Sequence, residues 1–369
     1  MEQVGVVFRG KDVAVLERCS IEGVSAGSVL VRNHFSMISP GTELSLFTGA
    51  HVGFSDPEIT WARYPLQPGY AAVGEVIAEG RFESASSPRP STGDWVLHYG
   101  THANLTPVDP RSALWVRLPY ADGTSEDGSD LPVSRLRYLL VRFAQIAATA
   151  VLAQVRSPRN VLIFGAGIVG NLCAQLFQNV PGVERVFLVD LSRSRIEIAR
   201  RCGVRDAYEV GEADQQITAI SGGVDTIVEA TGSPRVVAQA LDRVAIGGQV
   251  LLLGSTRGQV ELNVYKMIHR KLVSLVGCHE TLLPVKPDGA VRRPIWELEG
   301  EGGPAWLRPR SHEEIATRLA DAIFSGSLVV DPFLDKIVKP EEVQGAYEQL
   351  RDEPDRYLGV IIDWREVAP

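Results

Sequence analysis

The stretch Val161-Leu-Ile-Phe-Gly165-Ala-Gly167-Ile168-Val169-Gly170, closed twenty residues later by Val186-Phe-Leu-Val-Asp190, decides the fold. Four apolar residues predict a buried strand, a glycine turn follows, and Asn171-Leu-Cys-Ala-Gln-Leu-Phe reads as a helix. Gly165 permits the tight turn, Gly167 lets a pyrophosphate approach the backbone, and Gly170 lets the helix pack closely on the strand. The free N–H groups and positive dipole end of that helix suit the anion. Glycine-rich turns are common, so the pattern alone is weak. Its weight comes from the second apolar strand at the right distance, ending in an acid. The expectation is a dinucleotide-binding unit.

A chain of 369 residues suggests two domains. Its 45% apolar and 22% charged residues are those of an ordinary globular protein. A net charge of −8 argues against a nucleic-acid or anionic-membrane surface. The sequence shows neither an apolar run long enough to span a bilayer nor a secretory leader, so the cytoplasm is the expected location. Cys19, Cys173, Cys202 and Cys278 lack CxxC spacing, which excludes a zinc ribbon and disfavours disulfides.

The first hundred residues read as short strands between Gly/Pro turns, at Gln3–Phe8, Ser28–Phe35, Ala71–Ala78 and Asp94–Leu97. Residues 121–132 are polar and turn-rich, as at a domain border. From Ser134 the pattern turns helical, with Leu136, Leu139, Leu140 and Phe143 on one face. Strands then alternate with helices at Val161–Phe164, Val186–Val189, Asp225–Glu229, Gln249–Leu253 and Leu272–Val276, which predicts a doubly wound parallel sheet. Residues 280–310, rich in Pro and Gly and carrying Trp296 and Trp306, read as a surface insertion, a subunit contact or a substrate lid. After them, Glu313–Phe324 is an expected amphipathic helix, and Asp331–Val338 and Leu358–Asp363 are expected strands returning to the first domain.

In order and spacing the chain resembles the medium-chain dehydrogenase/reductase superfamily, which includes the zinc alcohol dehydrogenases. The matching pieces are Val29-Leu-Val-Arg…Gly41-Thr-Glu43, Pro65-Leu-Gln-Pro-Gly69-Tyr70-Ala-Ala-Val-Gly74, Gly93-Asp94-Trp-Val, the nucleotide motif, and Ala230-Thr-Gly232 followed by Gly247-Gly248. The resemblance implies an α/β protein: a GroES-like, mainly-β catalytic domain over 1–133, completed by 311–369, and a Rossmann domain over 134–310. Three departures stand out. Where the zinc enzymes carry a cysteine ligand, this chain has Ile38-Ser39-Pro40-Gly41-Thr42-Glu43. Where they carry a histidine it has Tyr70, and the third ligand would fall in Val141–Ala144. A catalytic zinc needs about three N, S or O side chains and an open position, so no zinc is expected. The strings Ile38–Glu43 and Tyr64–Tyr70 look most similar to a zinc-lacking branch that includes bacteriochlorophyllide dehydrogenases.

Asp190 stands where it would hydrogen-bond a ribose 2′-hydroxyl and repel a 2′-phosphate, favouring NAD over NADP. Arg193 and Arg195 weigh the other way as phosphate contacts, although Arg195 also matches a basic residue flanking the adenine ribose in NAD enzymes of the superfamily. Together with Gly165, Gly167, Ile168, Val169 and Gly170, the expected cofactor contacts include Ala230, Thr231 and Gly254 by resemblance.

Without zinc, a side chain must take or relay the hydroxyl proton. Thr42 matches the hydroxyl that begins the superfamily's proton relay, and Glu43 the supporting acid beside it. Tyr70 replaces a ligand, and His98 has the best ordinary pKa for a base. Tyr70 as a space-filling ring, Glu43 as a backbone acceptor and His98 as a structural histidine are the plain alternatives, and His51, His98, His102 and Glu43 are an unconventional metal set. The leading expectation is a zinc-independent, NAD-dependent dehydrogenase acting on a secondary hydroxyl of a small polar molecule, such as a cyclic polyol or secondary metabolite. An NADPH-dependent quinone or enoyl reductase and a non-catalytic dinucleotide binder are the alternatives. A homodimer is the expected assembly.

Overall fold

A computed structural model describes residues 1–21, 23–82, 89–118, 133–218, 222–285 and 311–368. The segment 121–132 and most of 280–310 lie outside the described residues. The described strands are β1 (Glu2–Gly10), β2 (Val13–Ser20), β3 (Val29–Ile38), β4 (Ala72–Glu79), β5 (Trp95–His98), β6 (Leu105–Val108) and β7 (Trp115–Arg117). Next come β8 (Asn160–Phe164), β9 (Arg185–Asp190), β10 (Asp206–Glu209), β11 (Thr226–Glu229), β12 (Gln249–Leu252) and β13 (Ser274–Gly277), then β14 (Lys336–Val338) and β15 (Val360–Asp363).

The six strands β8–β13 form one parallel sheet in the order β10-β9-β8-β11-β12-β13. This is the doubly wound order in which ligands bind beyond the carboxyl ends of the strands, where the strand order reverses. The reversal falls at β8, whose residues are all buried. Val161 and Ile163 join one core with the helices Leu140–Ala153 and Ile168–Phe177, while Leu162 and Phe164 join Val237 and Leu241 on the opposite face. A strand covered on both sides reads as an unbroken apolar run. Each such side chain contributes about 1.5–3 kcal/mol on burial.

A second, mixed sheet runs β14-β15-β3-β4-β5-β7, with β6 also paired to β3. Here β15 pairs antiparallel with β3, so a strand near the end of the chain completes a sheet begun near its start. β1 and β2 form a separate hairpin. The helix His312–Phe324 begins at Ser311, whose Oγ accepts the Glu314 N–H at 3.1 Å, and it packs on Leu140–Ala153.

Two strand expectations need correction. Residues Asp331–Phe333 form a 3-10 turn and only Lys336–Val338 is extended, because Pro332 supplies no N–H for a ladder. The strand expected from Leu272 begins at Ser274, since Leu272 takes a left-handed φ of 54° that no strand accommodates. Among the described residues no helix is long and apolar enough to cross a membrane.

Candidate active site

The glycine turn leaves β8 at its carboxyl end. Gly165 adopts φ 101°, and a Cβ on Gly170 would meet the Gly165 carbonyl oxygen at 1.8 Å, so helix and strand approach as only glycine allows. A Cβ on Gly167 would meet nothing within 4 Å. Open space therefore faces the turn where the phosphates are expected. Gly167 caps the helix Ile168–Phe177 without a side-chain acceptor, so the first N–H groups, those of Ile168 and Val169 among them, are left for a ligand.

Asp190 ends β9 and is bonded to this turn. Its Oδ2 accepts the Ala166 N–H at 2.6 Å and its Oδ1 accepts the Ser192 N–H at 2.9 Å. Arg195 approaches Asp190 Oδ2 to 3.8 Å but donates to the Pro354 carbonyl at 2.9 Å. Ala230 and Thr231 follow β11, and a Cβ on Gly165 would lie 3.0 Å from the Thr231 side chain and 3.2 Å from the Ala230 carbonyl. Gly254 follows β12, packed so closely that a Cβ would lie 2.4 Å from the Gly232 nitrogen. The fully buried Glu229 organises this side: its Oε1 accepts the N–H groups of Thr231 at 2.7 Å and Gly232 at 3.0 Å, and also the Thr231 hydroxyl. Sequence reasoning missed Glu229, although an acid closing the run Thr226-Ile-Val was the available signal.

A polar cluster faces this edge from the mixed sheet. Gly69 takes φ 106°, and a Cβ there would strike the His102 nitrogen at 2.6 Å, so glycine is required just before Tyr70. The Tyr70 hydroxyl donates to Ser39 Oγ, and the Thr42 hydroxyl also bonds it. Burial and the nearby Glu43 carboxylate push the Tyr70 phenol up to about 12, against its hydrogen bonding with Ser39 and Thr42 and the Arg142 charge. Arg257, beyond β12, donates to the Gly41 carbonyl at 2.7 Å and ties the Thr42 loop to the nucleotide edge. Arg142, on the helix Leu140–Ala153, lies over the rings of Tyr70 and Tyr99, at 5.0 and 4.4 Å, and is paired with Glu280 just past β13.

The structure does not bring Glu43 and His98 into this cluster as proton-transfer groups. Glu43 is buried behind it, accepting from Ser39 N–H at 2.9 Å, the Tyr347 hydroxyl at 2.6 Å and His102 Nε2 at 2.8 Å. His102 Nδ1 meets Ser36 Oγ at 2.8 Å. Glu43 thus holds the Ser39–Thr42 loop rather than facing open space. His98 is also buried, with Nε2 on Asn33 Oδ1 at 2.7 Å and Nδ1 accepting the Gly100 N–H at 3.0 Å. Burial lowers its pKa to about 4, so the imidazole is neutral, and both nitrogens are engaged. The hydrogen bonds of its neighbours fixed its role, and the sequence did not display them.

The donors present do not fit a catalytic zinc. By the resemblance the ligands would fall in Ile38–Glu43, at Tyr70 and in Val141–Ala144, stretches that offer no Cys or His, and the Arg142 guanidinium lies over the Tyr70 ring where a second cation would be repelled. Among the described residues no group of three or more His, Cys, Asp or Glu side chains could hold a metal; His51 instead lies against Trp61.

Comparison with known proteins agrees with this architecture. Residues 169–286 match the family described as zinc-binding dehydrogenase. L-threonine 3-dehydrogenase of Saccharopolyspora erythraea is 31% identical over 124 residues, 32% of this chain and 36% of that protein. Alcohol dehydrogenase 1 of Pisum sativum is 34% identical over 113 residues, 29% of this chain and 30% of that protein. The chain thus matches about a third of the length of these relatives. Solved structures match nearly end to end: an Escherichia coli oxidoreductase/dehydrogenase of unknown specificity at TM-score 0.72 and 18% identity, covering 98% of this chain and 99% of that one. The 2R,3R-butanediol dehydrogenase of Bacillus subtilis superposes at TM-score 0.71 and 16% identity, over 98% and 99% of the two chains. At these identities the likeness establishes the fold alone, which this chain shares with these dehydrogenases.

Proposed function

We propose that this chain is a zinc-independent medium-chain dehydrogenase/reductase, which transfers hydride between NAD(H) and the secondary hydroxyl or ketone of a small polar substrate. In this reading, residues 134–310 bind the cofactor, and residues 1–133 with 311–369 supply the substrate side. The observation that carries it is the joining of two features across one sheet edge. A glycine turn with a helix N-terminus that no side chain caps, together with Asp190, suits a pyrophosphate and ribose, and the Tyr70–Ser39–Thr42 hydroxyls are tied over it through Arg257. The named relatives, which include dehydrogenases of threonine and butanediol, agree with an alcohol substrate.

The cofactor, when bound, supplies the hydride acceptor; the chain supplies position and a path for the proton. Tyr70 donates its own proton to Ser39 Oγ, which leaves its oxygen free to accept a bond from a substrate hydroxyl. As hydride departs, the substrate proton moves onto Tyr70 while the Tyr70 proton moves to the Ser39 and Thr42 hydroxyls, and a proton leaves this pair to water at the half-buried Thr42, so that every hydroxyl ends with one proton. No free phenolate is needed, which suits a phenol held near 12. In the reverse direction Tyr70 donates to the developing alkoxide. Glu43, held by His102 and Tyr347, keeps the Ser39 loop in register.

Absorbance at 340 nm with chelator-treated protein tests the proposal. Turnover of NAD+ with secondary alcohols, inositols or aminocyclitols is expected. Turnover confined to NADPH with enones or quinones would replace it with the reductase reading, and cofactor binding without turnover would favour a non-catalytic binder. A homodimer in the cytoplasm is the expected setting.

A further inference from the structure

Arg142 is the most heavily buried charged side chain of the cluster, and its side chain is only 8% exposed. A guanidinium carries five N–H donors in a planar fork, and withdrawing it from water without acceptors is costly. Glu280 takes one arm, through Nη2. The neighbouring Nε–H is buried and has no acceptor among the described residues. Beside it the Tyr99 ring lies against the guanidinium, and the buried Tyr99 hydroxyl, whose oxygen faces Arg142, has no acceptor for its own proton among the described residues. Burial and the nearby Glu280 push the Tyr99 phenol up, partly offset by the Arg142 charge and a hydrogen bond from its guanidinium, so the phenol keeps its proton as a donor.

Two buried donors with no acceptor, one of them cationic, sit on the Tyr70 side of the cluster. The pairing they lack is an acceptor with at least two oxygens, carrying negative charge to balance the guanidinium. Glu280 supplies such charge at rest, but its side chain is 44% exposed and stands on a short turn after β13. It can turn to water, whereas Arg142, anchored in a buried helix, cannot.

We propose that Arg142 Nε–H and Tyr99 O–H form the receptor for an oxyanion of the substrate. The substrate is then a molecule carrying a carboxylate or a phosphoryl group close to the hydroxyl that reacts at Tyr70. Arg142 binds the substrate and sets its orientation; it does not exchange a proton. This rests on the hydride-transfer reading for the identity of the reacting hydroxyl, and on the unmet donors for the oxyanion.

Calorimetric titration of the full-length protein with malonate and, separately, inorganic phosphate tests it without requiring turnover. One of the two is expected to bind, malonate indicating a carboxylate and phosphate a phosphoryl ester. Arg142→Lys, which keeps the charge but loses Nε–H, and Tyr99→Phe are each expected to weaken that binding by about tenfold or more. The thermal transition of Tyr99→Phe is expected to stay near that of the wild type, which keeps the test open should Arg142→Lys fold poorly. Absence of binding by both anions, or binding unchanged in Tyr99→Phe and in folded Arg142→Lys, overturns the inference. Oxyanion binding that depends on these residues, without hydride transfer to NAD+ from any hydroxy acid or polyol phosphate, leaves the receptor standing and removes the dehydrogenase reading instead.

Discussion

The carboxylate of Asp190 accepts the backbone N–H of Ala166 at 2.6 Å, so the acid ending β9 is bonded to the middle of the glycine turn that ends β8. One residue therefore shapes the turn and faces the expected ribose. Asp190→Ala is expected to weaken NAD+ binding by about tenfold or more, about 1.4 kcal/mol, and to narrow any preference over NADP+. NADH fluorescence titration measures both; an unchanged ratio of affinities would remove Asp190 from cofactor choice.

Gly167 and Gly170 separate binding from folding. Gly167→Ala meets no neighbour within 4 Å and has φ −65°, so stability should hold or rise by about 0.4–1 kcal/mol while cofactor affinity drops. Gly170→Ala forces a methyl against the Gly165 carbonyl, and should cost at least the roughly 1–3 kcal/mol of an overpacked core. Thermal melts with and without NADH distinguish the two, and equal behaviour would contradict the packing described.

Tyr70→Phe removes the donor to Ser39 and leaves the ring in place. The expected result is a fall in kcat of roughly 10²-fold or more with cofactor affinity unchanged. Because the phenol is held near 12, the wild-type rate should show no break from Tyr70 between about pH 6 and 10. Stopped-flow rates across that range check the point.

Much of the nucleotide half was legible in the sequence, because a fully buried strand followed by three spaced glycines has few other meanings. The substrate side was less so. Tyr70 and Thr42 were visible as residues at known positions, but the burial of Glu43 and His98 depends on partners such as Tyr347, Asn33 and Ser36, brought in from distant segments. Arg142 lay inside a stretch scanned for metal ligands and had no local pattern of its own. Its significance arises only when Tyr70, Tyr99 and Glu280 converge on it.

His98 makes stability depend on pH. Its pKa is lowered to about 4 by burial against an unfolded value of about 6.5, so the unfolded chain binds the extra proton first. Its contribution is complete above about pH 6.5 and is lost as pH falls toward 4, by up to about 1.4 kcal/mol per pH unit. Urea midpoints from pH 7.5 to 4.5 should fall along this slope, with a shallower fall in His98→Gln. An identical slope in the variant would assign the effect to other groups.

Glu43→Gln leaves His102 and Tyr347 facing a neutral amide in a dry interior. Weakening the charged acceptor shared by Ser39, His102 and Tyr347 should cost about 1.5–3 kcal/mol, whereas Tyr347→Phe, which removes one hydrogen bond, should cost about 1 kcal/mol. Chemical denaturation ranks the two, and a reversed order would show that Glu43 is not the hub of this network.

The bond from Tyr347 to Glu43 spans 304 residues, and Trp364 Nε1 donates to Ser36 Oγ at 2.9 Å from the far end of the chain. During synthesis the parallel sheet β8–β13 has all its strands once residue 277 has been made, but β3 lacks its β15 neighbour until residue 363. A nascent chain can therefore hold all strands of the parallel sheet while the mixed sheet is still incomplete. Assembly follows synthesis, and segments made after the parallel sheet are the ones that reach Glu43 and Ser36 on either side of Ser39.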